Sequence, residues 1–153
     1  MKKKIVIASD HAGYDLKEHV KLFLETRDID TEDVGAGSDE SVDYPDFGGK
    51  AAELVSRGTY DRGILICGSG VGMSIVANKY PKVRAVLALD SETARMSRLH
   101  NNSNILVLAG RRTGSEYADE ILATWLETPF EGDRHQRRLE KISKIEEKVR
   151  HSF

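Results

Sequence analysis

Apolar residues in this 153-residue chain fall into two kinds of pattern. Four short runs, Ile5–Ala8, Gly63–Cys67, Ala85–Leu89 and Ile105–Ala109, are apolar almost throughout, as strands covered on both faces require. A fifth segment, Ile29–Val34, alternates apolar and acidic residues and reads as an edge strand. Between the strands the spacing turns helical. Leu16, Val20, Phe23 and Leu24 share one helix face after Gly13, and Phe47, Ala51, Leu54 and Val55 do so after Asp43-Tyr44-Pro45, where Asp can cap and Pro suits a first turn. Gly72–Lys79 and Ser91–Leu99 are short helix candidates. Thr113 with Glu116 has capping-box spacing and opens a helix to about Trp125.

The order β-α-β-α-β-α-β-α-β-α predicts a mainly parallel five-stranded sheet with helices on both faces, because parallel strands need crossover connections. No repeat, low-complexity stretch or linker interrupts it, so residues 1–153 read as a single doubly wound, Rossmann- or flavodoxin-like α/β domain. The last segment differs. From Asp133 to Phe153 it is polar, with a narrow stripe of Leu139, Ile142, Ile145 and Val149, as in a helix packed on one partner only. Residues 134–151 carry seven Lys/Arg against three Glu, whereas residues 28–46 carry eight acids and no base. This charge is either solvated surface or part of a helix that clasps a neighbouring subunit.

Composition narrows the classes. Lys and Arg number 23 against 25 Asp and Glu, a net charge of −2, unlike the strongly basic balance of a nucleic-acid binder. The 39% hydrophobic and 31% charged content is that of a soluble globular protein. A single cysteine cannot form an internal disulfide. Lys2–Lys4 and the apolar Ile5–Ala8 stop at Ser9-Asp10, too short for a signal sequence. No apolar segment approaches a membrane span. The expected location is the cytoplasm.

Open α/β sheets place their sites at the carboxyl ends of the strands. There the sequence reads Ser9-Asp10-His11-Ala12-Gly13 after the first strand and Cys67-Gly68-Ser69-Gly70-Val71-Gly72 after the third. Asp90-Ser91 follows the fourth strand and Gly110-Arg111-Arg112 the fifth, while His100-Asn101-Asn102 ends the helix before the fifth. Polar groups are expected to collect at one sheet edge. The glycine loop fails as a dinucleotide fingerprint, since its third position is Met73 and it follows the third strand. Asp90 does lie 20 residues beyond Gly70, where a ribose-binding acid would stand. The loop otherwise serves as a backbone cradle for a phosphate or a developing oxyanion, or as a tight turn without a ligand. Cys67 is either an inert core residue or, beside a glycine-rich helix N-terminus that favours the thiolate, a nucleophile or base. His11 and His100 are both candidate partners for it, so a cysteine hydrolase stays open at this point.

Arg134 and Arg138 stand i, i+4 at the start of the last helix, where cations oppose the helix dipole. Two guanidinium forks on one face suit a phosphate dianion. Pairing with Glu131, Asp133 or the acidic 28–46 segment is the alternative. His135 is expected on another face, at the surface. A required metal is poorly supported: no histidine pair has ligand spacing at the sheet edge, and one cysteine makes no thiolate cage.

Taken in order, Ser9-Asp10-His11-Ala12-Gly13, Asp43-Tyr44-Pro45, Ile66-Cys67-Gly68-Ser69-Gly70-Val71-Gly72, Ala77-Asn78-Lys79, Arg84-Ala85, Ser97-Arg98-Leu99-His100-Asn101 and Arg134-His135-Gln136-Arg137-Arg138 resemble the ribose-5-phosphate isomerase type B family and its allose- and galactose-phosphate relatives. The resemblance covers essentially the whole chain. It implies a metal- and cofactor-free aldose–ketose isomerase acting on a sugar phosphate through a cis-enediolate. Cys67 would be the base, with Gly68, Gly70, Val71 and Gly72 amides and the Ser69 hydroxyl at the enediolate oxygen. His100, with Asp10, would open the sugar ring. His11, Arg111, Arg134 and Arg138 would hold the phosphate, with Asn101 at the oxyanion end and Tyr44 at the sugar. Relatives often carry Thr where Ser69 stands, and one branch uses a Glu where this chain has Met73, which leaves Cys67 as the base on offer. Family members are dimers or tetramers with the site shared between subunits, so a homodimer or homotetramer is implied. The same chemistry on a hexose 6-phosphate and a non-catalytic phosphate- or nucleotide-binding module are the rival readings. Neither nucleic acid nor membrane is expected as a partner.

Overall fold

Near-continuous apolar strands and one-faced helices leave a single economical arrangement, a sheet sandwiched between helices, and the computed structural model shows it for residues 3–153. The order is β1 (Lys3–Ser9), α1 (Tyr14–Thr26), β2 (Ile29–Asp33), α2 (Tyr44–Ser56), β3 (Gly63–Cys67), α3 (Val71–Ala77), β4 (Ala85–Leu87), α4 (Ser91–Asn101), β5 (Ile105–Ala109), α5 (Ser115–Glu127) and α6 (Arg134–Ser152), with a 3₁₀ turn at His11–Gly13 before α1. All pairings are parallel and the strands lie in the order β2-β1-β3-β5-β4.

Side chains alternate between the two faces as strand geometry demands. Ile5, Ile7, Ile64, Ile66, Leu106 and Leu108 pack with Leu16, Val20 and Leu24 of α1, Ala94 of α4, and Ile121 and Trp125 of α5. Val6, Ala8, Leu65, Cys67, Ile105 and Val107 meet Ala51, Ala52 and Val55 of α2 and Met73 and Ala77 of α3. The chain crosses to either side of β1 and β3, so the sheet's switch point, where a crevice opens, lies between their carboxyl ends. No helix among the described residues is long and apolar enough to cross a membrane.

Three local expectations need correction. The fourth strand is short, Ala85–Leu87, half-buried and at the sheet edge rather than covered on both faces; a brief apolar run cannot by itself distinguish edge from centre. Thr113 is buried and does not cap α5, whose N-cap is Gly114 without a side-chain bond. Asp43 stands at the N-cap of α2, but its side chain makes no capping bond there. The last helix does form and packs on α4. Its Leu139 is buried, whereas Ile142, Ile145 and Val149 remain exposed along the stripe.

One feature of the fold was not read from the pattern: Lys17 of α1 is fully buried. Its Nζ donates to Asp33 Oδ1 and Oδ2 at 2.8 and 2.7 Å and to the Ala36 carbonyl at 2.7 Å. Burial opposes ionisation of Asp33, but hydrogen bonds from Lys17, Lys21 and the Gly35 amide outweigh it and hold the carboxyl below its ordinary range. The segment after β2 is thereby fixed beside β1, where the Ser9 amide donates to the Gly35 carbonyl and the Ala36 amide to the Ser9 carbonyl, both at 2.6 Å. Replacing Lys17 by Met leaves the buried Ala36 carbonyl without its donor and takes the Lys17 ammonium from Asp33, which keeps Lys21 and the Gly35 amide. The expected loss is about 2–3 kcal/mol at neutral pH, the scale of hydrogen bonds to a charged group. Because the Asp33 carboxyl is held low in the folded state, its contribution is present above the unfolded carboxylate value of about 3.9 and fades as pH falls through the lower folded value. The difference between parent and Lys17→Met in urea unfolding should therefore narrow in that acid range; a gap that is constant down to full protonation would refute the pairing argument.

Candidate active site

The carboxyl ends of β1 and β3 open into a cleft of about 480 Å³ lined by Asp10, His11, Tyr44, Cys67, Ser69 and Arg111, among others. The local geometry follows from close backbone approach. The Asp10 side chain accepts from the Gly13 amide at 3.1 Å, and the Asp10 amide donates to the Ile66 carbonyl at 3.2 Å. A methyl group on Gly13 would lie 2.5 Å from the Ile66 carbonyl oxygen, so only glycine lets the first loop lie against β3. His11 accepts at Nδ1 from the Val42 amide at 3.1 Å. That bond ties the acidic loop to the cleft and leaves any neutral-ring proton on Nε2.

Cys67 ends β3, 4% exposed, on the sheet face covered by α2 and α3. Beyond it the loop turns through Gly70 in the left-handed region (φ 79°) into α3. Ser69 Oγ accepts from the Val71 amide at 3.2 Å, which leaves its own hydroxyl proton to donate. Among the described residues, no backbone or side-chain oxygen accepts from the amides of Gly68, Ser69 or Gly70. A thiol, a hydroxyl and a set of uncommitted amides therefore converge at one strand end, the parts needed to move a proton beside a developing oxyanion. Arg111 joins them from the end of β5: its amide donates to the Gly68 carbonyl at 3.1 Å, and its side chain runs along Gly68. Arg112 also lines the cleft; its place directly after Arg111 was the available signal, and sequence reasoning passed over it.

The remaining expected residues lie elsewhere. His100 and Asn101 end α4, and a crossover helix must return the chain to the amino ends of the strands. The short link confirms this: the Gly63 amide, at the start of β3, donates to the Asn104 carbonyl at 2.9 Å. Cys67 stands at the other end of β3, about 13 Å away for five residues at a strand rise of about 3.3 Å. The expectation that the polar groups collect at one sheet edge is thus corrected, because the end of the helix before β5 belongs to the opposite edge.

This second group has its own order. Arg98 donates to the Ser103 carbonyl at 2.6 Å, to Asn102 Oδ1 at 2.9 Å and to the Thr128 carbonyl at 3.2 Å. Burial, then the charges of Arg62 and Arg84, bring its guanidinium down to about 10. These bonds lock the end of α4. Arg134 and Arg138 are exposed on the first turns of α6. His135 is not at the surface as its flanking arginines implied: it is 3% exposed and stacks on His100, ring centroids 4.2 Å apart and planes 16° apart. Glu131 joins the two rings at ion-pair distance. The i, i+4 spacing of Glu131 and His135 was the one sequence signal for this contact.

His100, Glu131 and His135 bring three possible metal-ligating atoms within 4.8 Å of one another. The donor types suit a divalent ion. The geometry does not, since each nitrogen lone pair lies in its ring plane and two near-parallel planes this far apart do not meet at bonding distance.

A doubly wound sheet with a thiol, a glycine-loop amide cradle and cationic side chains defines a class of small-molecule enzyme acting on an anionic substrate. Residues 5–142 match the family model described as Ribose/Galactose Isomerase. Ribose-5-phosphate isomerase B of Escherichia coli is 42% identical over 146 residues, 95% of this chain and 98% of that protein. Among solved structures, ribose-5-phosphate isomerase B of Clostridium thermocellum aligns with a TM-score of 0.93 and 51% identity, covering 95% of this chain and 99% of that one. The Mycoplasma genitalium ribose-5-phosphate isomerase B, solved with bound ribulose-5-phosphate, aligns at a TM-score of 0.91 and 40% identity, over 96% and 98% of the two chains. The chain belongs to the ribose/galactose isomerase family, and the resemblance read from its motifs holds.

A packing test follows from the cleft wall. A methyl group on Gly72 would lie 2.6 Å from Tyr44 Cζ and 2.7 Å from Cε2. Gly72→Ala is expected to destabilise the parent by about 1 kcal/mol through overpacking. In a Tyr44→Ala background the same change should become stabilising, since Ala gains up to about 1 kcal/mol over Gly in a helix. Urea unfolding of the four chains measures the coupling; equal effects in both backgrounds would remove Tyr44 from the wall of the glycine loop.

Proposed function

We infer that this protein interconverts ribose 5-phosphate and ribulose 5-phosphate through a cis-enediolate, without a metal or other cofactor, at a site completed by a second copy of the chain. The observation that carries the reading is the placement of Cys67 beside the uncommitted amides of Gly68, Ser69 and Gly70 in a cleft that also holds Asp10, His11 and Arg111. Cys67 takes the proton from C2 of the open aldose and returns it to C1. The C1 oxygen gains negative charge against the loop amides and the Ser69 hydroxyl as the enediolate forms; as C1 takes up the proton, the C2 hydroxyl proton passes to the C1 oxygen and C2 becomes the ketone carbonyl. A positioned base contributes roughly 10²–10⁴ in rate, and an oxyanion donor about 2.7–4 kcal/mol.

Ring opening and phosphate binding call on residues from both sheet edges. His100, with Asp10, opens the furanose, and His11, Arg111, Arg134 and Arg138 hold the phosphate, with Asn101 at the oxyanion end and Tyr44 along the sugar. Within one chain His100 is a strand length from Cys67, so these roles require His100, Asn101, Arg134 and Arg138 of the partner subunit. The exposed apolar stripe of α6 supports such an assembly, since Ile142, Ile145 and Val149 are left uncovered on the helix that bears both arginines. A homodimer is the smallest assembly that completes the site, and a homotetramer repeats it. Such an enzyme works in the cytoplasm, where its sugar phosphates are.

Cys67→Ala and His100→Ala should each abolish turnover of ribose 5-phosphate, measured with a chelator present. Refolded together in equal amounts, the two dead chains should recover about a quarter of parent activity. Half the dimers are then mixed, and each mixed dimer holds one intact site of two. No recovery from a demonstrably mixed oligomer would sink the shared site, and parent-like turnover by Cys67→Ala would sink the base assignment. Turnover of allose 6-phosphate alone would move the substrate to a hexose phosphate.

A further inference from the structure

One buried titratable group has no task in this scheme. His135 is 3% exposed, and its Nε2 is buried without a hydrogen-bond partner among the described residues. Buried polar atoms are normally paired, so this unpaired nitrogen is the exception at the start of α6.

Its surroundings point to His100. The two rings are stacked at 4.2 Å. A single oxygen, Glu131 Oε2, lies 3.7 Å from His135 Nε2 and 3.7 Å from His100 Nε2. The turn that presents Glu131 is fixed to the end of α4, because its amide donates at 3.0 Å to the carbonyl of Leu99, the residue before His100. The His135 amide donates to the Gly132 carbonyl at 3.0 Å and closes the same turn. The charged groups facing His135 are His100 from α4, Glu131 from the turn, and Arg134 and Arg138 from α6 itself. Burial first, then His100 and the arginines, push the His135 imidazole below its ordinary range, against the pull of Glu131. The neutral ring is thereby favoured at His135, where it lies on His100 with the two planes 16° apart.

We propose that His135 is a positioning residue for His100: its ring, stacked on the His100 imidazole, fixes that ring's plane, and the Glu131 carboxylate they share, 3.7 Å from both Nε2 atoms, keeps the pair in register. The proposal rests on reading His100 as the group that opens the sugar ring. In that step a proton leaves the C1 hydroxyl, the bond from C1 to the ring oxygen breaks, C1 becomes a carbonyl and the ring oxygen takes a proton. One imidazole can relay both protons only if its ring stays in register with C1 and the ring oxygen, and the stack supplies that register.

The test compares His100→Ala, His135→Ala, His135→Phe and Glu131→Gln in the full oligomer. Each is assayed for kcat and KM on ribose 5-phosphate. His135→Ala should lower kcat about 10- to 100-fold, the scale of a misplaced catalytic group, with KM near the parent value. His135→Phe keeps the stack and should recover most of that loss. Glu131→Gln, at an exposed position that spares the fold, should lower kcat with KM near the parent value, and it keeps the test decisive if His135→Ala does not fold. Parent-like kcat in His135→Ala beside an inactive His100→Ala would overturn the positioning role alone, as would equal losses in His135→Ala and His135→Phe. Full turnover by His100→Ala would overturn the ring-opening role itself and leave the stack without a catalytic purpose.

Discussion

A parallel sheet obliges every crossover helix to carry the chain back to the edge from which the strands start. Loops that follow strands and loops that precede them are therefore held apart by the length of a strand. In this chain that constraint divides the polar residues into two groups. Asp10, His11, Cys67, Ser69 and Arg111 follow strands and share the cleft at the switch point. His100, Glu131 and His135 gather at the end of α4 and the start of α6, toward the opposite ends of the strands. No side-chain rearrangement brings the groups together inside one chain, because the strands between them are fully buried and paired on both sides.

Each group is held by a different physical device. The cleft depends on backbone approach: Gly13 against the Ile66 carbonyl, Gly110 against the Ala12 carbonyl at 2.6 Å from a methyl position, and Gly70 with positive φ packed on Leu87. Behind it, Lys17 holds the segment after β2 by three bonds of 2.7–2.8 Å, and from that segment the chain runs on to Val42, whose amide meets His11. The second group is set by a helix terminus. Arg98 satisfies the carbonyls around Asn102, which adopts φ 46° to end α4, and the Trp125 indole donates to Ser103 Oγ at 2.9 Å beneath it. The buried charge of Lys17 is tolerated because its ammonium donates to Asp33 and the Ala36 carbonyl, and that of Arg98 because its Nε and Nη1 are both engaged.

The sequence made the strands legible wherever both faces were to be covered, since Ile5–Ala8, Gly63–Cys67 and Ile105–Ala109 admit little but apolar residues. It also made the cleft legible, because glycines and polar residues directly after such strands can only be loop. Lys17 was hidden by its own chemistry. Gly13, Lys17, Val20 and Leu24 follow the 4, 3, 4 spacing of a buried stripe, yet a lysine reads as solvent-facing until the acid at the end of β2 is seen beside it. His135 was hidden by its neighbours. Arg134, Arg137 and Arg138 mark the helix start as exposed, and what buries the histidine is the end of α4, brought there by a turn with Gly132 at φ 74° and Asp133 at φ 50° that carries no periodic signal. The division between sheet edges was readable in principle from connectivity alone, and grouping the residues by chemistry obscured it.

The two ends of α6 link assembly to chemistry. Its first turns carry Arg134, His135 and Arg138, and its later turns carry Ile142, Ile145 and Val149 exposed on a 19-residue helix. Three large aliphatic side chains in one stripe are a poor surface for a lone chain and a serviceable one for a second copy. A helix of this length is rigid over its first turns, so whatever covers the stripe also fixes where the arginines and the His100–His135 stack point. Burial of apolar area would then supply the free energy that brings two like-charged guanidinium groups toward a site rich in other cations. In the proposed assembly, a phosphate dianion arriving there would find the repulsion already overcome, and its binding would relieve the charge that assembly had concentrated.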